Sequence, residues 1–102
     1  MPVEYSVTVK RSTLKRLENL PETVRERFAI LEEVLRMLGP TGPSKWKNYR
    51  PLKGEKNQKL YHCHISEGHH YVACWEYYKK SILIEIYYVG PHPSGKYPTN
   101  RP

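Results

Sequence analysis

Two histidines separated by one residue, in Tyr61-His62-Cys63-His64, are the first feature of this chain that points to chemistry. Side chains alternate across an extended strand. Over 59–66, Leu60, His62 and His64 therefore share one face, while Tyr61, Cys63 and Ile65 share the other and form the core-facing set. An imidazole titrates near pH 6.5, so it can take or give a proton under physiological conditions. Two imidazoles on one exposed strand face are poor core filler and good acid–base equipment. A third, His92, follows Gly90-Pro91 at the end of the last apolar run, with Tyr97 a few residues on. His69 and His70 fall at a turn just before Tyr71, where exposed polar residues need no functional explanation, and His69 is the weaker candidate.

The surroundings are basic. The chain carries 17 Lys and Arg against 10 Asp and Glu, a net charge of +7, and its densest positive segment is 40–59. There Lys45, Lys47, Arg50, Lys53, Lys56 and Lys59 face a single acid, Glu55. Such a segment is either a solvated loop or a rim that gathers phosphates, and a charge of this size selects acidic partners. Nine tyrosines against one phenylalanine add flat faces with hydroxyls, suited to stacking on bases as well as to strands. A metal is the rival use of the histidines: His62 and His64 have the spacing of two ligands and His92 would be a third. No Asp or Glu stands beside them in sequence and the basic environment repels a cation, so neither metal nor cofactor is expected. Cys63 and Cys74 lack the C-x-x-C spacing and read as reduced core thiols. Trp46 and Trp75 read as packing residues.

The elements that must position these groups follow from periodicity. Val3, Tyr5, Val7 and Val9 alternate with polar residues, which predicts a half-buried strand. Ser12 caps a short helix bearing Leu14 and Leu17, and Pro21 opens a second helix. That helix carries Val24, Phe28, Leu31, Val34, Leu35 and Leu38 on one stripe and ends at Gly39-Pro40. A short strand around 46–52 and three strands at about 59–66, 69–78 and 81–89 follow. The links at Ser66–Gly68 and Lys79–Lys80 are short, which predicts an antiparallel meander. Val72 and Cys74 have the parity of core residues, leaving Tyr71 and Ala73 opposite, and Ile82, Ile84, Ile86 and Tyr88 fall on one side of the last strand. Glu85 reads as a partner for a neighbouring lysine. The expectation is an α+β fold in one domain, 1–102, with two helices on one face of the sheet. The proline-rich tail, 91–102, carries part of the site. No signal-peptide or membrane-length apolar run is present, so a soluble cytoplasmic protein is expected.

The stretch from Leu60 to Tyr97 resembles the second half of the RelE-type toxins of the RelE/ParE toxin–antitoxin superfamily. The shared pattern is an aromatic-basic-apolar-basic strand (Tyr61-His62-Cys63-His64), a turn, a strand opening near Tyr71-Val72, then Val89-Gly90-Pro91-His92 and a tyrosine, Tyr97. The first half fits through its strand, helical hairpin and Leu52-Lys53-Gly54. The resemblance implies an endoribonuclease that cuts mRNA on the ribosome without metal and inhibits translation. The 2′-hydroxyl attacks the adjacent phosphate, leaving a 2′,3′-cyclic phosphate and a 5′-hydroxyl. By position in the motif, His92 is the general acid, His64 the general base, and Tyr97 positions or stacks the substrate. His62 and Lys59 steady the phosphate, and Lys47, Arg50, Lys53, His70 and Tyr71 complete the substrate contacts. Tyr71 departs from the pattern, since relatives often carry an arginine there and a tyrosine cannot replace that fixed charge. A cognate antitoxin, expected to be acidic, is the implied protein partner, with mRNA and the ribosome as targets. Two alternatives share the fold: a ParE-like gyrase poison, and an RNA-binding module without chemistry.

Overall fold

In the computed structural model, residues 4–55, 57–66 and 71–100 are described. The elements run β1 (Ser6–Val9), α1 (Arg11–Leu17), α2 (Glu22–Leu38), β2 (Arg50–Leu52), β3 (Leu60–His64), β4 (Tyr71–Tyr78) and β5 (Leu83–Pro91). They build one five-stranded sheet in the order β1-β5-β4-β3-β2. The β5-β4-β3-β2 pairings are antiparallel, as the short links require, and β1 closes the far edge parallel to β5. Both helices lie on a single face, giving the expected α+β architecture.

The core on the helix side is built by the stripe of α2. Val24, Phe28, Leu31 and Leu35 are buried against Cys63, Ala73, Trp75, Ile84, Ile86 and Val89. Leu38, expected on the same stripe, is 64% exposed at the last position of α2. Gly39 then takes φ +90°, and a Cβ there would come within 2.7 Å of the Tyr5 ring, so the chain turns where only glycine fits. Trp75 is fully buried and its indole N–H donates to the Pro40 carbonyl at 3.1 Å, a packing role with its one polar atom satisfied. The first helix starts two residues before expectation and the second one residue after: Lys10 and Pro21 stand at the N-cap positions, and Ser12 lies inside α1 without capping it.

Two face assignments are corrected by the register. His62 pairs with Cys74 and His64 with Val72, so Val72 and Cys74 lie on the histidine face. Tyr71 and Ala73 face the helices. The segment Val72-Ala73-Cys74-Trp75 is apolar at every position, and alternation carries no signal where both faces are covered. In β5, Cys74 pairs with Tyr88 while Trp75 pairs with Ile86, so Tyr87 is an inserted residue, a β-bulge. Ile84 and Ile86 keep the helix side, but the bulge turns Tyr88 to the histidine face with Tyr87.

That second face is not bare. Leu60, Cys74 and Tyr87 are buried there, with Leu52, Tyr88 and Tyr97 packed around them. The cover is the segment after β5, which folds back across the sheet. The Tyr87 hydroxyl donates to the Pro98 carbonyl at 2.7 Å, and Gln58 Nε2 to the Asn100 carbonyl at 2.8 Å. Asn100 fastens the far end. Its amide donates to Glu76 Oε1 at 2.9 Å and Glu85 Oε1 at 2.6 Å, and its Oδ1 accepts from Lys10 Nζ at 2.7 Å. Glu76 and Glu85 are cross-strand partners, so one amide bridges two facing carboxylates. Cys63 and Cys74 lie on opposite faces of the sheet as free, buried thiols.

Candidate active site

β3 presents His62 and His64 to the tail side, but the expected exposed face is a covered one: the two rings are only 3% and 7% exposed. Tyr97 lies on His62 with ring centroids 4.0 Å apart. His92 meets the edge of His64 at 5.4 Å and of Tyr97 at 5.1 Å. The four groups selected from sequence are thus one cluster, three from regular strand positions or their ends and one from the returning tail.

Hydrogen bonding assigns protons within it. His92 Nδ1 lies 2.7 Å from the Pro93 carbonyl, which can only accept, so Nδ1 carries a hydrogen. In the neutral ring Nε2 is then a lone pair, and it accepts from the Tyr97 hydroxyl at 2.8 Å. When Nε2 is protonated the bond reverses and the phenol hydrogen turns outward. Burial raises the Tyr97 phenol above its usual range, with Arg50 opposing, so it keeps its proton near neutrality. Across the cluster, Asn48 Nδ2 lies 3.2 Å from His64 Nε2, and Asn48 itself takes the left-handed conformation at φ 56°. His64 is further fixed by its backbone N–H, which donates to the Lys47 carbonyl at 2.8 Å.

His62 has a different character. Burial first, then His64, Arg50 and His92, pull its pKa down to about 4, and its Nδ1 has no hydrogen-bond partner among the described residues. It is a neutral ring at pH 7 and serves as a stacking surface under Tyr97. The fixed positive charge beside it is Arg50, its cross-strand neighbour on β2. Lys47 lines a hollow with Asn48, His64, Pro91, His92 and Ser94, so it too stands at the cluster. Lys53 lines a second hollow with Lys96 and Tyr97.

Other expected contacts are not brought to the cluster. Lys59 sits near Glu76, Tyr78, Lys79 and Lys80 at the other end of the sheet. Tyr71 packs toward the helix-side core. His70 lies outside the described residues. Among those residues no group of three or more His, Cys, Asp and Glu side chains is placed to hold a metal ion, and no helix is long and apolar enough to cross a membrane.

No protein-family model matches the chain, and no curated protein does. Solved structures do. The archaeal RelE of the RelE–RelB complex from Pyrococcus horikoshii superposes with a TM-score of 0.73 at 22% identity, covering 90% of this chain and 99% of that one. The chain has the RelE fold. The isolated E. coli RelE toxin matches with a TM-score of 0.63 at 20% identity, over 90% of this chain and 88% of that one. RelE in the intact E. coli RelBE complex gives 0.62 at 19%, over 87% and 98%.

On this RelE fold, two residues of the site region had no signal in the sequence reading. Asn48 is one more polar residue of a basic loop, and Asn100 acts through partners up to 90 positions away. The His62 shift has a measurable consequence. The unfolded ring titrates near 6.5 and the folded one near 4, so between these values the unfolded chain binds a proton that the folded chain refuses. Folded-state stability therefore falls as pH drops from about 6.5 toward 4. Urea unfolding at pH 7 and pH 4.5 is expected to show a smaller acid loss for His62→Phe than for the parent. An equal loss in both would show that His62 is not the group responsible.

Proposed function

We propose that the chain is the toxin of a toxin–antitoxin pair and acts as a metal-independent endoribonuclease on mRNA, in association with the ribosome. The observation that carries this reading is the convergence of His64, His92 and Tyr97 on one face, with Arg50 and Lys47 beside them. Cleavage of a ribonucleotide chain needs a base for the 2′-hydroxyl proton, positive charge for the phosphorane, and an acid for the leaving oxygen. His64 takes the proton from the 2′-hydroxyl as its oxygen bonds to phosphorus. Arg50 and Lys47 stabilise the added negative charge. The bond to the 5′-oxygen breaks, and protonated His92 supplies the hydrogen that completes the 5′-hydroxyl. Tyr97, held between His62 and His92, orients the acid and offers its face to a base. The solved RelE neighbours are bound to RelB in two cases, and a chain of charge +7 suits an acidic antitoxin.

The deciding measurement is the chemistry of the ends. With mRNA on translating ribosomes, the expected products carry 2′,3′-cyclic phosphate and 5′-hydroxyl termini. Fragments with 5′-phosphates would indicate metal-assisted hydrolysis. Growth arrest with intact mRNA and an induced DNA-damage response would instead favour gyrase as target.

A further inference from the structure

A groove adjoining the cluster is shaped for an anion. It runs between the start of α2 and the end of β3, about 530 Å³ in volume, and is lined by Thr23, Arg27, Lys45, Trp46, His64 and Ser66 among others. That volume lies within the range of small-molecule sites. Arg27 is held at two points: its guanidinium lies 4.7 Å from the centre of the Trp46 ring, and its Nε donates to the Ile65 carbonyl at 3.2 Å. Both contacts leave the Nη edge, with four N–H donors in a plane, available for a ligand. A guanidinium fixed in this way binds an oxyanion with little further loss of side-chain freedom. Lys45 and Lys47 add charge, and the described lining contains no carboxylate. His64 and Lys47 line this groove as well as the hollow that holds His92. A strand whose reacting phosphate lies between His64 and His92 therefore has a continuous path past His64 to Arg27.

We propose that this groove is an anionic subsite for a phosphodiester of the RNA strand adjoining the one that reacts, with Arg27 as its fixed cation. The inference rests on RNA being the ligand of the cluster. Trp46 serves as the plate that holds Arg27, which gives this half-buried aromatic a use beyond packing.

The test uses the full chain and a fluorescent, uncleavable 2′-O-methyl RNA oligonucleotide, titrated at several salt concentrations. Arg27→Gln is expected to weaken binding about tenfold and to lower the slope of log affinity against log salt by about 0.7, one phosphate contact on a single strand. Arg25→Gln removes an exposed charge of α2 outside the groove and is expected to leave the slope unchanged. Arg27→Lys, which keeps the charge and loses the planar fork, is expected to restore the slope but not the affinity. Circular dichroism confirms that each variant is folded. Should the parent bind and Arg27→Gln match it, the groove is not a subsite although RNA remains the ligand. Equal losses for the two glutamine variants would likewise overturn the subsite, since net charge alone would explain them. If the parent binds the oligonucleotide neither free nor as the message of programmed ribosomes, the underlying reading falls and the subsite with it.

Discussion

Replacing His92 with alanine is expected to lower the rate of RNA cleavage by about 10²–10⁴-fold, the usual contribution of a positioned acid or base. The fold should be nearly untouched. His92 is exposed, and its ring bonds only to the Pro93 carbonyl and the Tyr97 hydroxyl among the described residues. His64→Ala is expected to match it in rate but to differ in stability, because His64 is buried beneath the tail and leaves a gap when truncated. Rate loss without stability loss in the first variant, and both losses in the second, would separate chemistry from packing. Single-turnover cleavage on programmed ribosomes and thermal melts of each variant give the two readouts. If both variants arrested growth as the parent does, the assignment of acid and base would be wrong.

The second large effect belongs to a residue that touches no substrate. Asn100→Leu is expected to reduce cleavage by at least about 10²-fold by releasing the tail that delivers Tyr97 and positions His92. Asn100 is 6% exposed, and its amide serves Glu76 and Glu85 together while its oxygen takes the Lys10 ammonium. Leucine fills a similar volume with none of these bonds. Two facing carboxylates lose the amide that bridges them and are left to share the Tyr78 hydroxyl, and an unsatisfied buried polar group costs about 1–3 kcal/mol. The five-stranded sheet should persist, since its ladders and the α2 core do not involve Asn100. Proton NMR reads the outcome. Stacking at 4.0 Å places the His62 ring protons in the shielding cone of Tyr97, and that shift should vanish in the variant. An unshifted His62 signal with full cleavage would show that the tail holds itself in place by other means.

Much of this arrangement was legible in the sequence where polarity alternates cleanly. The His62 and His64 face of β3 and the Val24-Phe28-Leu31-Leu35 stripe of α2 appear as the periods of strand and helix dictate. Parity failed in β4, because Ala73 and Trp75 are buried on one side and Val72 and Cys74 on the other, and apolar residues mark neither. It failed again in β5, where the extra residue Tyr87 resets the alternation without any change in residue character. The departure at Tyr71 also looks different in three dimensions. That position faces the helices, and the fixed cation beside His62 comes from Arg50, one strand over. Basic loop residues are interchangeable in one dimension. Strand register places Arg50 at the cluster and a backbone bond to His64 places Lys47 there, whereas Lys59 lies elsewhere.

The Asn100 fastening also acts as a buffer. A site assembled by a docked segment is an equilibrium between armed and unarmed populations, and apparent activity scales with the armed fraction. While docking is favourable by several kcal/mol, losing one contact, such as the Gln58 bond to the Asn100 carbonyl, leaves that fraction close to one. Activity then stays flat through single losses and falls steeply once the margin is used up. Unlike Asn100→Leu, which removes several bonds at once, substitutions that remove one lesser contact of this tail should accordingly be silent alone and severe in pairs. That is a threshold response that the rigid histidine strand beneath it does not share.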